Sequence, residues 1–298
     1  RDSSTSRGLG DVYKRQYYDK EFGKHSVGLT LLQSATGYHY EESSMAAEGI
    51  PLESAKWNAL SKENVSLLDE WNSGLIEKQL LSYMFRVNYD YNNKYLLTVS
   101  SRWDGASQLA EGNKWAFFPS AALGWRLDQE EFLKDVTWLN QLKFRLGVGV
   151  TGNSAIDPYQ TKGAIVSLYY PFGSALAPGY AASEPLIKDG AVAMANKNLS
   201  WEKTTQYNIG LDYSVLNGRI SGVLDFYTSR TTDLLMAMTI PSLNGYTNTY
   251  ANVGKTSNIG VDITLNTVNV KTRDFEWSTS INAAWQKDKI DELANGKE

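Results

Sequence analysis

The chain of 298 residues holds two histidines, His25 and His39, and their spacing limits what they can do. Fourteen residues apart, they share one face of an extended strand but sit about 46 Å from each other. A metal between them is out of reach within that strand, and both read as strand-end residues. Gly147-Val148-Gly149-Val150-Thr151-Gly152 fits the letters of a dinucleotide fingerprint. That chemistry needs the glycines to follow a strand and open a helix whose amino end meets a pyrophosphate. Here Gly147 and Gly149 fall inside a strand pattern, and a loop follows at 153–158. Glu41-Glu42 and Glu130-Glu131 are adjacent carboxylates, which extended backbone points to opposite sides, so neither pair forms an acid/base couple. Cysteine is absent, which removes disulfides and thiolate zinc sites. No nucleophile elbow, zinc-protease, P-loop or EF-hand pattern occurs. The residues assign no catalytic, cofactor or metal role, and the chain reads as something other than an enzyme.

The elements carrying these residues say more. Alternation of apolar and polar residues dominates, the mark of strands with two unlike faces. Over 81–91, Leu81, Tyr83, Phe85, Val87, Tyr89 and Tyr91 oppose Ser82, Met84, Arg86, Asn88 and Asp90. Segments 207–215 and 275–286 repeat the pattern, and weaker versions run over 25–40, 94–103, 116–127, 139–151, 219–229 and 257–270. Helical period is absent, apart from a short turn at 129–135. The fold class is all-β. No apolar run approaches the roughly 18 residues of a helical membrane span, whereas a membrane β-strand needs only every second residue apolar. The net charge of −4 offers no basic face to nucleic acid.

Tight connections fall at Gly23-Lys24, Asn92-Asn93, Asn217-Gly218 and 271–274, with a modest one at 128–137. Long polar loops are expected at 41–76, 104–115, 153–200 and 233–256. Short and long connections alternate along the chain, which puts the turns at one end and the loops at the other, as in outer-membrane barrels. The aromatic pairs Tyr95/Trp103, Phe117/Trp125 and Trp277/Trp285 bracket apolar residues at eight-residue spacing. At a tilt of about 40° this gives roughly 20 Å of height, near the apolar band between two aromatic girdles. Such a chain, taken alone, is expected to be insoluble without detergent or partner strands.

Residues 1–16 (RDSSTSRGLGDVYKRQ) lack sustained alternation and are similar to adapter-derived translations in metagenomic assemblies; they read as a non-native or disordered leader before a barrel segment at 17–298. Both ends read as cuts, and no signal peptide is visible.

Twelve short stretches resemble the SusC/RagA family of TonB-linked outer-membrane transporters. They are RVNYDY (86–91), KYLLT (94–98), RWDGAS (102–107), FPSAALGWR (118–126), LKFRLG (142–147), VTGN (150–153), LSWEKT (199–204), NIGLDY (208–213), NGRI (217–220), TDLL (232–235), NVG (252–254) and NIGVD (258–262). Trp103 and Ile259 depart from the family pattern. The resemblance implies an antiparallel up-and-down meander of about ten long strands from a 22-stranded transmembrane barrel of a Bacteroidetes-like outer membrane. It implies import of oligosaccharides or peptides, a SusD-like surface lipoprotein as lid, and drive from TonB through an amino-terminal segment. Neither a plug nor a TonB box matches these residues.

On this reading Arg86, Asn88, Asp90, Arg102, Lys143, Arg145, Asn208, Asp212, Asp225, Asp262, Asn266, Asn282 and Gln286 form a polar inner wall. Loop aromatics Trp57, Trp71, Tyr159, Tyr169, Tyr170, Tyr180, Tyr246 and Tyr250 are candidates to stack on sugars. Two alternatives stay open. One is a soluble secreted β-sandwich that binds glycans, whose two sheets would bury their apolar faces against each other. The other is a barrel enzyme, which would need a base at the rim.

Overall fold

The structure, a computed structural model, describes residues 2–48, 67–162, 166–173, 175–181, 194–241, 243, 246 and 248–293. The strands are β1 (Asp2–Phe22), β2 (His25–Glu48), β3 (Leu67–Tyr91), β4 (Tyr95–Ala106), β5 (Trp115–Arg126), β6 (Leu139–Asn153), β7 (Val166–Phe172), β8 (Ala175–Ala181), β9 (Glu202–Val215), β10 (Ile220–Thr232), β11 (Leu235–Thr239), β12 (Asn248–Asn252), β13 (Lys255–Lys271) and β14 (Glu276–Glu292). Ten of them form one antiparallel sheet in the order β1-β2-β3-β4-β5-β6-β9-β10-β13-β14. The pairs β7-β8 and β11-β12 are separate hairpins inserted between neighbours of that sheet. The architecture is the expected meander.

Register shows why the alternation matters. From the turn end one row runs Phe22↔His25↔Tyr91↔Tyr95↔Trp125↔Phe144↔Leu211↔Leu224↔Ile263. The adjacent row on the opposite face runs Asp90↔Leu96↔Gly124↔Arg145↔Gly210↔Asp225↔Asp262. A slip of one residue would exchange these faces, so the pattern pins the register. The apolar face finds no protein partner: Val99 is 43% exposed, Leu123 53% and Ile281 52%. A β-sandwich is thereby excluded, because among the described residues no second large sheet covers those side chains. Purified without detergent, the chain is expected to aggregate, as light scattering at tens of micromolar would show; a clear monomeric solution would contradict an uncovered apolar face.

The aromatic girdles are present as ring contacts. At the turn end Phe22, His25, Tyr91, Tyr95 and Trp125 follow one another with centroids 4.9–6.5 Å apart. At the loop end Trp103 packs on Phe117 at 4.8 Å, and Tyr83 on Trp115 at 6.2 Å.

The tight turns stand where the sequence places them. Asn92 and Asn93 hold φ of 56° and 53°, and Asn217 and Gly218 hold 57° and 79°, the left-handed pairs that such turns demand. Two 3₁₀ turns, Leu127–Gln129 and Glu131–Leu133, fill the modest connection.

The structure corrects two expectations. Much of the loop predicted at 41–76 is strand, since β2 and β3 stay paired out to Glu48↔Leu67. The side chains there are polar, but the backbone still needs partners, and continuing the ladder supplies them. The loops at 153–200 and 233–256 carry the hairpins β7-β8 and β11-β12 for the same reason. Residues 2–16 lie in β1, paired with β2 from Asp2↔Met45 onward. Backbone pairing, which ignores side-chain pattern, places them there.

Candidate functional site

The polar wall is built by cross-strand contacts. All thirteen residues expected to line it fall on one face by register. At its centre Arg145 on β6 reaches Asp212 on β9, with Nε 2.9 Å from Oδ1, and Asp225 on β10, with Nη2 3.0 and 3.1 Å from the two carboxylate oxygens. The second contact crosses an intervening strand. It is possible because Gly210 stands between Arg145 and Asp225 in the row: a Cβ there would lie 2.5 Å from Asp225 Oδ1 and 2.6 Å from Arg145 Cζ. Gly210→Val should therefore push the guanidinium aside and strand two carboxylates beside Asp262, a loss of about 1–2 kcal/mol for a half-exposed cluster. A lowered urea midpoint for the refolded barrel, matched by Arg145→Leu and not additive with it, is the expected result. Additive losses would show that Gly210 acts independently of the bridge.

Hydroxyl and amide pairs complete the wall. Asn88 accepts from Thr98 at 3.0 Å, and Thr264 donates to Asn282 at 3.0 Å. Ser100 meets Ser120 at 2.6 Å, and Thr204 meets Thr231 at 2.8 Å. Gly147 and Gly149, offered above against a nucleotide loop, lie on this same face within β6. A Cβ at Gly147 would meet nothing closer than Asn208 Cβ at 3.9 Å, so the wall is recessed there. No helix follows them, and the nucleotide reading falls with its context. Nearer the loops Arg102 grips Asp104 through Nε at 2.8 Å to both oxygens and donates from Nη2 to the fully buried Ser82 at 3.0 Å.

The loop end contains a compact core. The ladder from β5 to β6 stops at Ser120↔Gly149, one residue short of Pro119, which has no N–H to donate. Beyond it Phe118 meets Trp201 edge-on at 5.3 Å, and the Phe118 ring lies so close over Gly152 that a side chain there would collide with it. Ala106, Leu109, Ala116, Ile156 and Leu199 close the cluster. Hydrogen bonds tie the loops to it: Ala110 N–H donates to Leu199 O at 3.0 Å, and the Trp201 indole Nε1–H donates to Lys114 O at 2.8 Å. Asn252 exchanges bonds with Ser200, donating to its carbonyl and accepting from its N–H, both at 2.8 Å. Beside this core lies a cavity of about 750 Å³, lined by β3 at Glu77–Gln79 and by residues of the loops 107–114 and 158–197.

Sequence reasoning missed this core, having read 104–115 and 153–200 as featureless loop. The signal was the apolar trio Leu109, Leu199 and Trp201 within polar stretches. Of the loop aromatics, Tyr159 lines the cavity and Tyr250 packs against the core. Tyr246 is half-buried. Trp57 lies outside the described residues, and so do the side chains of Trp71, Tyr169, Tyr170 and Tyr180.

The histidines serve local contacts on β2; His25 starts the strand, as expected, but His39 lies nine residues before its end at Glu48, because the paired β2–β3 ladder runs on past it. His25 Nδ1 is 2.7 Å from the Tyr89 hydroxyl, and His39 Nδ1 is 3.0 Å from Glu77. Among the described residues no cluster of three metal-ligating side chains occurs. At the turn end Glu130 accepts from Tyr95 Oη at 2.7 Å and Trp125 Nε1 at 3.0 Å, and pairs with Lys94 at 3.3 Å. The Tyr95 hydroxyl first, then the Trp125 indole, hold its carboxyl below the usual carboxylate range, and Lys94 adds to this. A depressed folded pKa contributes stability above the ordinary value, and that contribution disappears as pH falls through the lowered one. Acid titration of indole fluorescence should show a transition below the range of a free glutamate, absent in Glu130→Gln. A transition unchanged in the variant would remove Glu130 as its source.

The family profile described as "TonB dependent receptor-like, beta-barrel" matches residues 2–298. The chain belongs to the TonB-dependent receptors. Within them it falls in the SusC/RagA family, and it is outer-membrane barrel wall. TonB-dependent receptor SusC of Bacteroides thetaiotaomicron is 39% identical over 251 residues, which is 80% of this chain and 24% of that protein. TonB-dependent receptor P3 of Formosa agariphila is 33% identical over 282 residues, 94% of this chain and 27% of that protein. In three dimensions the chain is similar to a solved RagAB peptide transporter, with a TM-score of 0.83 and 25% identity over 99% of this chain and 32% of the other. The chain thus spans about a quarter of the length of these receptor relatives. The receptor motifs acquire physical roles: LSWEKT supplies Leu199 and Trp201 to the loop core, NIGLDY places Gly210 and Asp212 under Arg145, and RWDGAS holds the Arg102–Asp104 grip.

Proposed function

We propose that this chain is part of the barrel wall and outer loops of a receptor that imports oligosaccharides or peptides across the outer membrane, with residues 17–298 as the receptor-derived barrel segment. The observation that carries the reading is the pairing of an uncovered apolar face with an ion-paired polar face whose loop end is roofed by a packed core. Acyl chains suit the first face; the second suits an enclosed, wet or plugged interior, where charges of both signs are tolerable. The wall residues act by position, with Arg145, Asp212 and Asp225 forming a closed network that presents a fixed surface to a plug. Cargo passes by gating, without covalent chemistry. TonB would supply the drive through an amino-terminal segment, and a SusD-like surface lipoprotein would cover the loops. The relatives support this reading, since one is named a SusC receptor and a structural neighbour is titled a peptide transporter. Uptake of labelled oligosaccharides and oligopeptides by cells carrying the full-length gene is the test. Uptake should vanish on deletion of the gene or of TonB, and a lipoprotein should co-purify with the receptor. Uptake unchanged in either deletion would refute energised import.

A further inference from the structure

The cavity at the loop end carries a charge balance that the rest of the chain does not. The chain is net negative, yet Lys78, Lys114, Lys162 and Lys197 all line this one space, against Glu77 and Glu111. Glu77 is already engaged by His39 at 3.0 Å, and Lys78 lies over the Tyr38 ring at 4.8 Å. Among the described residues no ion pair within 4.0 Å involves Lys114, Lys162 or Lys197. Three ammonium groups without an ion-pair partner among the described residues thus line one space from two different loops, both tied to the Leu199/Trp201 core. An ammonium is a compact point charge with three donors and suits carboxylate or sulfate oxygens. At about 750 Å³ the space lies within the range of built ligand sites.

The neutral lining decides between a sugar and a peptide. A peptide would add as a strand along the outer edge of β3 beyond its last partner in β4. That edge is capped: Gln79 N–H donates to Ser107 Oγ at 2.8 Å, Ser107 N–H to Gln79 O at 3.0 Å, and Glu77 N–H to the Tyr159 hydroxyl at 3.3 Å. Apart from the apolar Leu109, Ala110 and Pro158, what remains is hydroxyl, amide and the half-exposed ring of Tyr159, the surface that sugar hydroxyls and ring faces take. We infer that this cavity binds an anionic, carboxylate- or sulfate-bearing stretch of an oligosaccharide through Lys114, Lys162 and Lys197. The inference rests on the import reading and narrows its substrate class.

The test is calorimetric titration of the full-length receptor in detergent with paired probes: tetragalacturonate against its methyl ester, and sulfated against desulfated carrageenan tetraose. At least one acidic member should bind ten-fold or more tighter than its neutral twin, and weaken as salt rises. The triple variant Lys114→Gln/Lys162→Gln/Lys197→Gln should lose about ten-fold toward the acidic probe and little toward the neutral one. All three residues are exposed, so its heat-modifiable gel migration should match the parent's. Equal binding of both members in both pairs overturns the inference, as does an acidic preference that survives in the triple variant. Stronger binding of tetra-aspartate than of either acidic sugar overturns it in favour of a peptide. If cells still import neutral oligosaccharide while the acidic preference is missing, the inference alone falls; loss of all cargo uptake would instead strike the import reading.

Discussion

Trp201→Ala is expected to release the outer loops while the strands stay paired. Trp201 is 5% exposed, packs against Phe118 at 5.3 Å, and its indole N–H holds the carbonyl of Lys114. Truncating a buried tryptophan costs about 3–5 kcal/mol when the site cannot collapse around the gap. Here Pro119 prevents β5 and β6 from zipping further, so the gap stays open. The loss falls on a local unit, because the loop core touches the sheet at one end only. Limited proteolysis and amide exchange on the full receptor should show cleavage and loss of protection within 107–114 and 154–200. Heat-modifiable migration of the barrel should stay as in the parent. Trp201→Phe keeps most of the packing, loses the bond to Lys114, and should fall between the two. Loops equally protected in parent and Trp201→Ala would mean that the core does not hold them.

The second large effect separates the two faces of the sheet. Val99 lies midway between Tyr95 and Trp103 on β4, on the uncovered apolar face. Val99→Arg places a charge near the middle of the acyl layer, at about 2–4 kcal/mol. Ser100→Arg is one residue away and points to the polar wall, where the new charge stays in a wet, polar setting beside Ser120, and the like charge of Arg86 directly opposite costs a few tenths of a kcal/mol. It also loses the 2.6 Å bond to Ser120. Equilibrium folding into lipid vesicles should show a large loss for Val99→Arg and under about 1 kcal/mol for Ser100→Arg. Similar losses for both, or the reverse order, would undo the assignment of faces.

Legibility in the sequence followed the physics of each feature. Strands 81–91, 207–215 and 275–286 could be read because alternation is imposed by two unlike solvents, one on each side of a single sheet. The turns at 92–93 and 217–218 could be read because few residues accept positive φ there. The loop core escaped, since Leu109, Leu199 and Trp201 come from segments about ninety residues apart and show no period. The paired extensions of β2 and β3 escaped because backbone hydrogen bonding leaves no mark on side-chain composition. Residues 2–16 show the converse, a strand formed by pairing where the alternation is poor.

The amino-acid sequence by itself determined the all-β class, the sidedness of the strands with clear alternation, the turn end and the loop end, and the receptor family. Those are local properties, written in period two, in turn residues and in short motifs. Tertiary structure alone decided that Arg145 reaches across Gly210 to Asp225, that Pro119 marks the gap Trp201 fills, and that three lysines from two loops face one cavity. These depend on which strands are neighbours and in what register, a property of the assembled sheet that no single stretch of residues contains.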